Sequence, residues 1–251
     1  MAPGNASKYD EEAGQRSETD MSIIFSDTSI RHAFIRKVYL ILTSQLLITF
    51  ALIATFMFVE PLKEYVQKHI WVSIFALMVF MGTFFTLACV ESCRRNYPNN
   101  YILLLIFTLA MGTFAAITAS TYDVLVVLIA VGITAFITFS LTLFAMQTKI
   151  DFTLCSGVLF VCVIVLIGFG LVVSIANFLF GFNKILIMVY SALSALLFSV
   201  FLVYDTQLIL GGRREQLSEE EYVLAAMNLY VDIMYLFLDM LRLVGFAMGN
   251  N

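Results

Sequence analysis

The chain has 251 residues, 61% of them hydrophobic and 13% charged, with a formal net charge of −4 and a mean hydropathy of +0.94. Such a composition excludes a water-soluble domain and marks a polytopic membrane protein with the lipid bilayer as its first partner. The net charge identifies no further partner, because the N-terminal tail, six acidic residues against two basic ones, accounts for all of it, and no nucleic-acid partner is expected.

Residues 1–30 are polar and acidic and have no apolar core of a signal peptide, so they are expected to form a disordered cytosolic tail. Asn5-Ala6-Ser7 matches a glycosylation acceptor only by chance if that tail is cytosolic. Uncharged runs then cover 38–59, 70–90, 96–122, 124–148, 152–183 and 185–204. Each can cross a hydrocarbon core of roughly 30 Å at about 1.5 Å per residue. The run 152–183 would be about 48 Å long as one helix, so 177–183 is read as its exit loop. A seventh span lies within 218–246 and opens on a capping-box pattern, Ser218-x-x-Glu221. Prolines occur only at 3, 61 and 98, outside the spans, so gating by proline kinks is not expected.

The expected fold is an all-α integral membrane domain over 31–251, with seven transmembrane helices and the last one central, enclosed by the other six. Lys and Arg set its orientation. Arg31, Arg36, Lys37, Arg94, Arg95, Lys149, Arg213 and Arg214 gather on the N-terminal side, against Lys63, Lys68, Lys184 and Arg242 on the other. The N-terminus is therefore expected in the cytosol and the C-terminus in the lumen.

The last helix is central because of what it carries. Asn228, Asp232, Tyr235, Asp239 and Arg242 follow at spacings of 4, 3, 4 and 3, which puts all five on one stripe of an α-helix. A carboxylate at membrane depth costs several kcal/mol unless paired, protonated or wetted, so it faces protein or water rather than lipid. On the sixth span Asp205, in Tyr204-Asp205-Thr206-Gln207, lies at a depth similar to that of Asp232. Ser191 and Ser194 fall near the Asp205 face and allow close helix approach. Asp205 and Asp232 are thus expected to face each other. Two such carboxylates cannot comfortably both ionise, so they share a proton, as a proton-responsive switch or a site awaiting a cation. A structural interhelical hydrogen bond is the alternative.

Asp239 and Arg242, three residues apart, suit a structural ion pair. Arg94 and Arg95 are either positive-side anchors or, snorkelling inward, groups that reach the acidic pair. Asp123 and Asp151 suit the starts of helices. Cys89, Cys93, Cys155 and Cys162 lack CxxC spacing and read as buried reduced thiols, and His32 and His69 offer no zinc constellation.

Several separated motifs resemble the transmembrane Bax inhibitor motif family. They are Leu202-Val203-Tyr204-Asp205-Thr206-Gln207, Gly211-Gly212, Glu220-Glu221-Tyr222-Val223-Leu224-Ala225-Ala226 and Asn228-Leu229-Tyr230-Val231-Asp232-Ile233. Gln147-Thr148-Lys149-Ile150-Asp151-Phe152-Thr153 and Cys93-Arg94-Arg95-Asn96-Tyr97-Pro98-Asn99 point to its lifeguard branch. The resemblance implies a membrane of the ER or Golgi, with the plasma membrane as a further location. It also implies a calcium leak that lowers store content, and protection from apoptosis. It puts a pH sensor and weak, transient calcium ligands on Asp205 and Asp232. The latch falls on Arg94, or on neighbouring Arg95. No cofactor is implied, calcium being the permeant ion, and regulators of the Bcl-2 type are the candidate protein partners. Tyr204-Asp205 also matches the first motif of intramembrane aspartyl proteases, but Asp232 follows Leu229-Tyr230-Val231 instead of Gly-x-Gly, and no Pro-Ala-Leu follows, so no enzyme is expected. The remaining alternative is a non-conducting membrane protein that restrains cell-death regulators. Seven spans alone also suit a receptor, for which the loops are too short.

Overall fold

The computed structural model describes residues 29–181 and 183–249 in full and residues 4–28 by backbone alone. The tail expected at 1–30 and its Asn5-Ala6-Ser7 match fall almost wholly outside the residues described in full. Among the described residues every regular element is helical, and seven helices are long and apolar enough to cross a membrane.

The first span is Ser29–Phe58, within α1 (Gly4–Phe58). The short helix α2 (Glu60–Lys68) leads to the second, α3 (Ile70–Cys89). After the five-residue α4 (Glu91–Arg95) come α5 (Asn99–Ala119), α6 (Val124–Gln147) and a single 3₁₀ turn, Phe152–Cys155, that runs into α7 (Ser156–Phe180). The acid-bearing hairpin closes the chain as α8 (Lys184–Leu210) and α9 (Tyr222–Ala247).

Three boundaries differ from expectation. The first span begins well before residue 38, because Arg31, Arg36 and Lys37 ride the helix without ending it. Residues 177–180 stay helical, and α7 stops only at Gly181, whose φ of +85° suits glycine alone among the common residues. The capping box at Ser218 does not form. Glu221 is itself the residue before the first turn of α9, with its backbone N–H on the Ser218 carbonyl at 3.0 Å and its side chain used elsewhere.

Burial separates the spans. In the most apolar stretch of α9, 72% of the residues are buried, against 11% for the last span before α8. That is compatible with the expected enclosure of α9. Its main contacts are α8, α6, α1 and α5, while α3 packs on α5 and α7 on α8. The lipid-facing side chains of the outer helices, such as Phe160 and Phe178, need no protein partner in a bilayer.

Polar bonds inside the bundle fix how α1 and α5 meet α9. The fully buried Tyr230 shares a 2.7 Å hydrogen bond with Thr49 Oγ1, and its ring meets Phe107 edge-on at 5.8 Å. Gln45 Nε2 donates to Thr108 Oγ1 at 2.9 Å. Away from water such bonds have no competitor, so they set register as well as adding stability. At the other end Tyr122 packs against Gly245, where any Cβ would overlap its ring. Gly245→Ala is therefore expected to lower the melting temperature in detergent through overpacking of about 1–3 kcal/mol. Adding Tyr122→Ala should restore part of the loss relative to Tyr122→Ala alone.

Candidate functional site: an acid column on the last helix

The hairpin of α8 and α9 is pinned from two sides. Arg31 donates from Nη2 to the Leu208 carbonyl at 2.7 Å, from Nε to that of Leu210 at 3.4 Å, and from Nη1 to that of Leu217 at 2.6 Å. The first two satisfy carbonyls that the end of α8 leaves without helical partners, and the third holds the loop that follows. Gly211, at φ +73°, permits the turn, and a Cβ there would strike the same guanidinium. Gln207, 1% exposed, donates to the Ile150 carbonyl at 3.0 Å and accepts from the Phe152 N–H at 2.8 Å, tying the loop after α6 to α8. Asp151 caps the turn that follows, accepting from Thr153 N at 3.0 Å and Thr153 Oγ1 at 2.6 Å. The Thr153 hydroxyl in particular holds its carboxyl below the usual range, burial opposing and the Arg214 N–H assisting.

The hairpin brings Asp205 and Asp232 together. Both are buried, at 5% and 3% exposed, with their carboxyl groups within hydrogen-bonding reach of each other and Asn228 reaching Asp205. Asp232 Oδ2 has no donor. Further down the stripe, Tyr235 stacks on Phe198 with ring centroids 4.5 Å apart, and Arg242 Nη1 bonds Asp239 Oδ1 at 3.0 Å. Ser191 and Ser194, assigned by spacing to the Asp205 side, lie beside Asp239 instead, because the antiparallel course of α8 carries them to that level.

The two arginines after α3 do not reach the acid pair. Arg94 Nε sits 2.5 Å from Glu221 Oε2, and Arg94 Nη1 donates to the Ala88 carbonyl at 3.0 Å. Arg95 Nη2 lies 2.6 Å from Glu221 Oε1 and also pairs with Glu91 and, at 3.4 Å, with Glu220. Glu221 precedes Asp232 by eleven residues, roughly 16 Å of helical rise, so no side chain anchored on α4 bridges both. Burial by itself pushes the Glu221 carboxyl up, but Arg94 and Arg95 outweigh it and hold the group below its ordinary range. Glu221 is the site residue that the sequence concealed. It ends a run of three glutamates that reads as a solvated helix start, and only its 5% exposure distinguishes it from Glu219 and Glu220.

Among the described residues no three His, Cys, Asp or Glu side chains gather as a metal cage. A divalent cation beside the pair would meet two carboxylates and the Asn228 amide, which suits passing contact more than tight binding. The four thiols are free, as expected, but they are not buried: Cys89 and Cys162 are exposed on the bundle surface and the other two are half-buried. Apolar neighbours in sequence face lipid here as readily as core.

A seven-span helical membrane protein with carboxylates inside its most buried helix is the class that fold and site define. The chain belongs to the family described as inhibitor of apoptosis-promoting Bax1, whose pattern matches residues 31–251. It is 45% identical to Protein lifeguard 3 of Mus musculus over 237 residues, covering 94% of this chain and 76% of that protein. Identity to Protein lifeguard 3 of Homo sapiens is 45% over 221 residues, covering 88% and 71%. With the Golgi anti-apoptotic protein of Vaccinia virus it is 35% over 223 residues, covering 89% of each. The resemblance to the lifeguard branch read from the motifs is thereby confirmed.

Because the Glu221 carboxyl is depressed, the clasp contributes in full above the ordinary glutamate value of 4.5 and is lost only as pH falls through the lowered one. Glu221→Gln is therefore expected to lower the melting temperature by the same amount at pH 6 and pH 8. The loss should stay below the roughly 3–5 kcal/mol of a fully buried broken pair, since Arg95 is part-exposed. A thermal melt at both pH values checks it.

Proposed function

We propose that this chain is a calcium-permeable leak of an intracellular membrane, that it senses protons at Asp205 and Asp232, and that it restrains apoptosis by lowering stored calcium. The observation that carries the reading is the facing pair of buried carboxylates on α8 and α9, with Asp232 Oδ2 lacking a donor. Carboxylates inside a membrane are costly to keep there and commonly mark ion and proton paths.

In the deprotonated state the pair attracts a divalent cation. Two carboxylates with Asn228, helped by carbonyls and water, supply fewer fixed oxygens than the six to eight that calcium prefers. Binding is then weak enough to release the ion, as a leak requires. Protonation removes the charge that holds a cation between α8 and α9 and shifts the population toward an open arrangement. Arg94 and Arg95 act as the latch at one remove: they clasp Glu221 and so hold the start of α9 against α4. The clasp stays ionised across mild acid, so the pH response belongs to the pair.

Arg31, Arg94, Arg95 and Arg213 lie on one side of the bundle, which supports a cytosolic N-terminus and a lumenal C-terminus. The name of the viral relative supports the Golgi, with the ER as the neighbouring compartment. A second reading keeps the apoptotic role without conduction: the family and the viral relative are named for apoptosis and not for ion transport. Direct restraint of cell-death regulators of the Bcl-2 type would then replace the leak.

Calcium flux into liposomes holding the purified protein tests the proposal. Flux should be several-fold higher at pH 6 than at pH 8, and Asp205→Asn with Asp232→Asn should flatten that difference. Flux no greater than that of empty liposomes at either pH would transfer the apoptotic role to the second reading.

A further inference from the structure

The far half of α9 carries a second acid that the proton switch does not use. Asp239 follows Asp232 by seven residues, two turns and roughly 10 Å along the same face. It is 0% exposed, Arg242 bonds its Oδ1, and Oδ2 completes no hydrogen bond although Ser194 and Ser191 stand beside the carboxyl. Opposite it on α8, Ser191 is also 0% exposed and its Oγ completes no hydrogen bond. The guanidinium of Arg242 makes one 3.0 Å bond to this carboxylate from a side chain that is 27% exposed.

A pair built only for stability would use the arginine fork on both oxygens and leave no buried acceptor open. This one holds a carboxylate half-engaged beside an unsatisfied hydroxyl. Its cation is the more exposed partner of the pair, and Tyr122, Tyr190 and Tyr235 lie near enough to feel its charge. Gly245, about one turn beyond Arg242, lets the Tyr122 ring close in on the helix backbone there. We propose that Arg242 is a tethered cation that plugs the far end of the acid column, taking on Asp239 the place a permeating cation would occupy. The column then has a stop at each end: Arg94 and Arg95 on Glu221, and Arg242 on Asp239. The assignment of a permeating ion rests on the leak reading above. The shielding of a polar compartment between Ser191 and Asp239 does not.

The test separates the two. Ser191→Cys is placed in a chain whose four native cysteines are replaced, and a charged, membrane-impermeant thiol reagent is added from the Arg242 side of the bilayer. The cysteine should react slowly while Arg242 is present and at least several-fold faster with Arg242→Gln. Arg242→Lys, which keeps a tethered cation, should remain slow. Asp239→Asn unpins the guanidinium without removing it and gives a second route to faster reaction if the Gln variant does not fold, as judged by its thermal melt. Equal reactivity in folded variants with and without the plug overturns the proposal. Calcium flux is measured in the same liposomes. If the unmodified protein conducts and Arg242→Gln leaves the flux unchanged, the plug is wrong and the leak stands. If the unmodified protein does not conduct, the leak reading falls, and thiol reactivity alone decides whether Arg242 shields the compartment.

Discussion

A carboxylate cannot be left in hydrocarbon, and the architecture of this protein follows from that constraint. Asp232 and Asp239 on α9, with Asp205 opposite, have to be surrounded by protein. The helix that bears two of them is accordingly the most buried of the seven, and α8, α6, α1 and α5 pack around it. Polar side chains on the inner faces of those neighbours, Gln45, Thr49 and Thr108 among them, find hydrogen bonds inside the bundle. The outermost helices then contribute mostly apolar surface to lipid. One helix with charge on it therefore orders the layers around it.

The basic residues on the N-terminal side do more than hold the protein at an interface. Arg31 and Arg213 spend their donors on backbone carbonyls, at 2.6–3.4 Å for Arg31 and 2.5 Å from Arg213 to Thr148. Arg94 and Arg95 converge on a single glutamate. Lys37 stands over the Tyr222 ring at 3.2 Å, and Tyr222 in turn accepts from Asn100 Nδ2 at 2.9 Å. Each contact stitches a loop or a helix end to the hairpin of α8 and α9. The closed end of the acid-bearing hairpin is in this way tied to the first span, to α4 and to the loop after α6.

The span pattern was legible because hydropathy over twenty residues is a strong signal, and the stripe on α9 because helical spacing converts directly into a shared face. Asp205 meeting Asp232 followed from depth, since two helices joined by a short loop must run antiparallel. What escaped was whatever depends on a third element. Glu221 looks like its exposed neighbours until α4 brings two guanidiniums to it. Ser191 and Ser194 share a face with Asp205, but the level at which they sit is set by α9. Charge did not mark helix ends either: α1 runs through Arg31, Arg36 and Lys37 because a helix at the interface can point such side chains to water or to a neighbour's carbonyls.

Arg31 joins two parts of the chain that are 177 residues apart in sequence, the start of the first span and the last turn of α8. Its backbone continues the segment that precedes Ser29, while its guanidinium grips Leu208, Leu210 and Leu217 around the bend between the two acid-bearing helices. Tension on the N-terminal segment is therefore shared between the first span and that bend. The segment works as a handle on the hairpin, and whatever holds it has mechanical access to the spacing of α8 and α9.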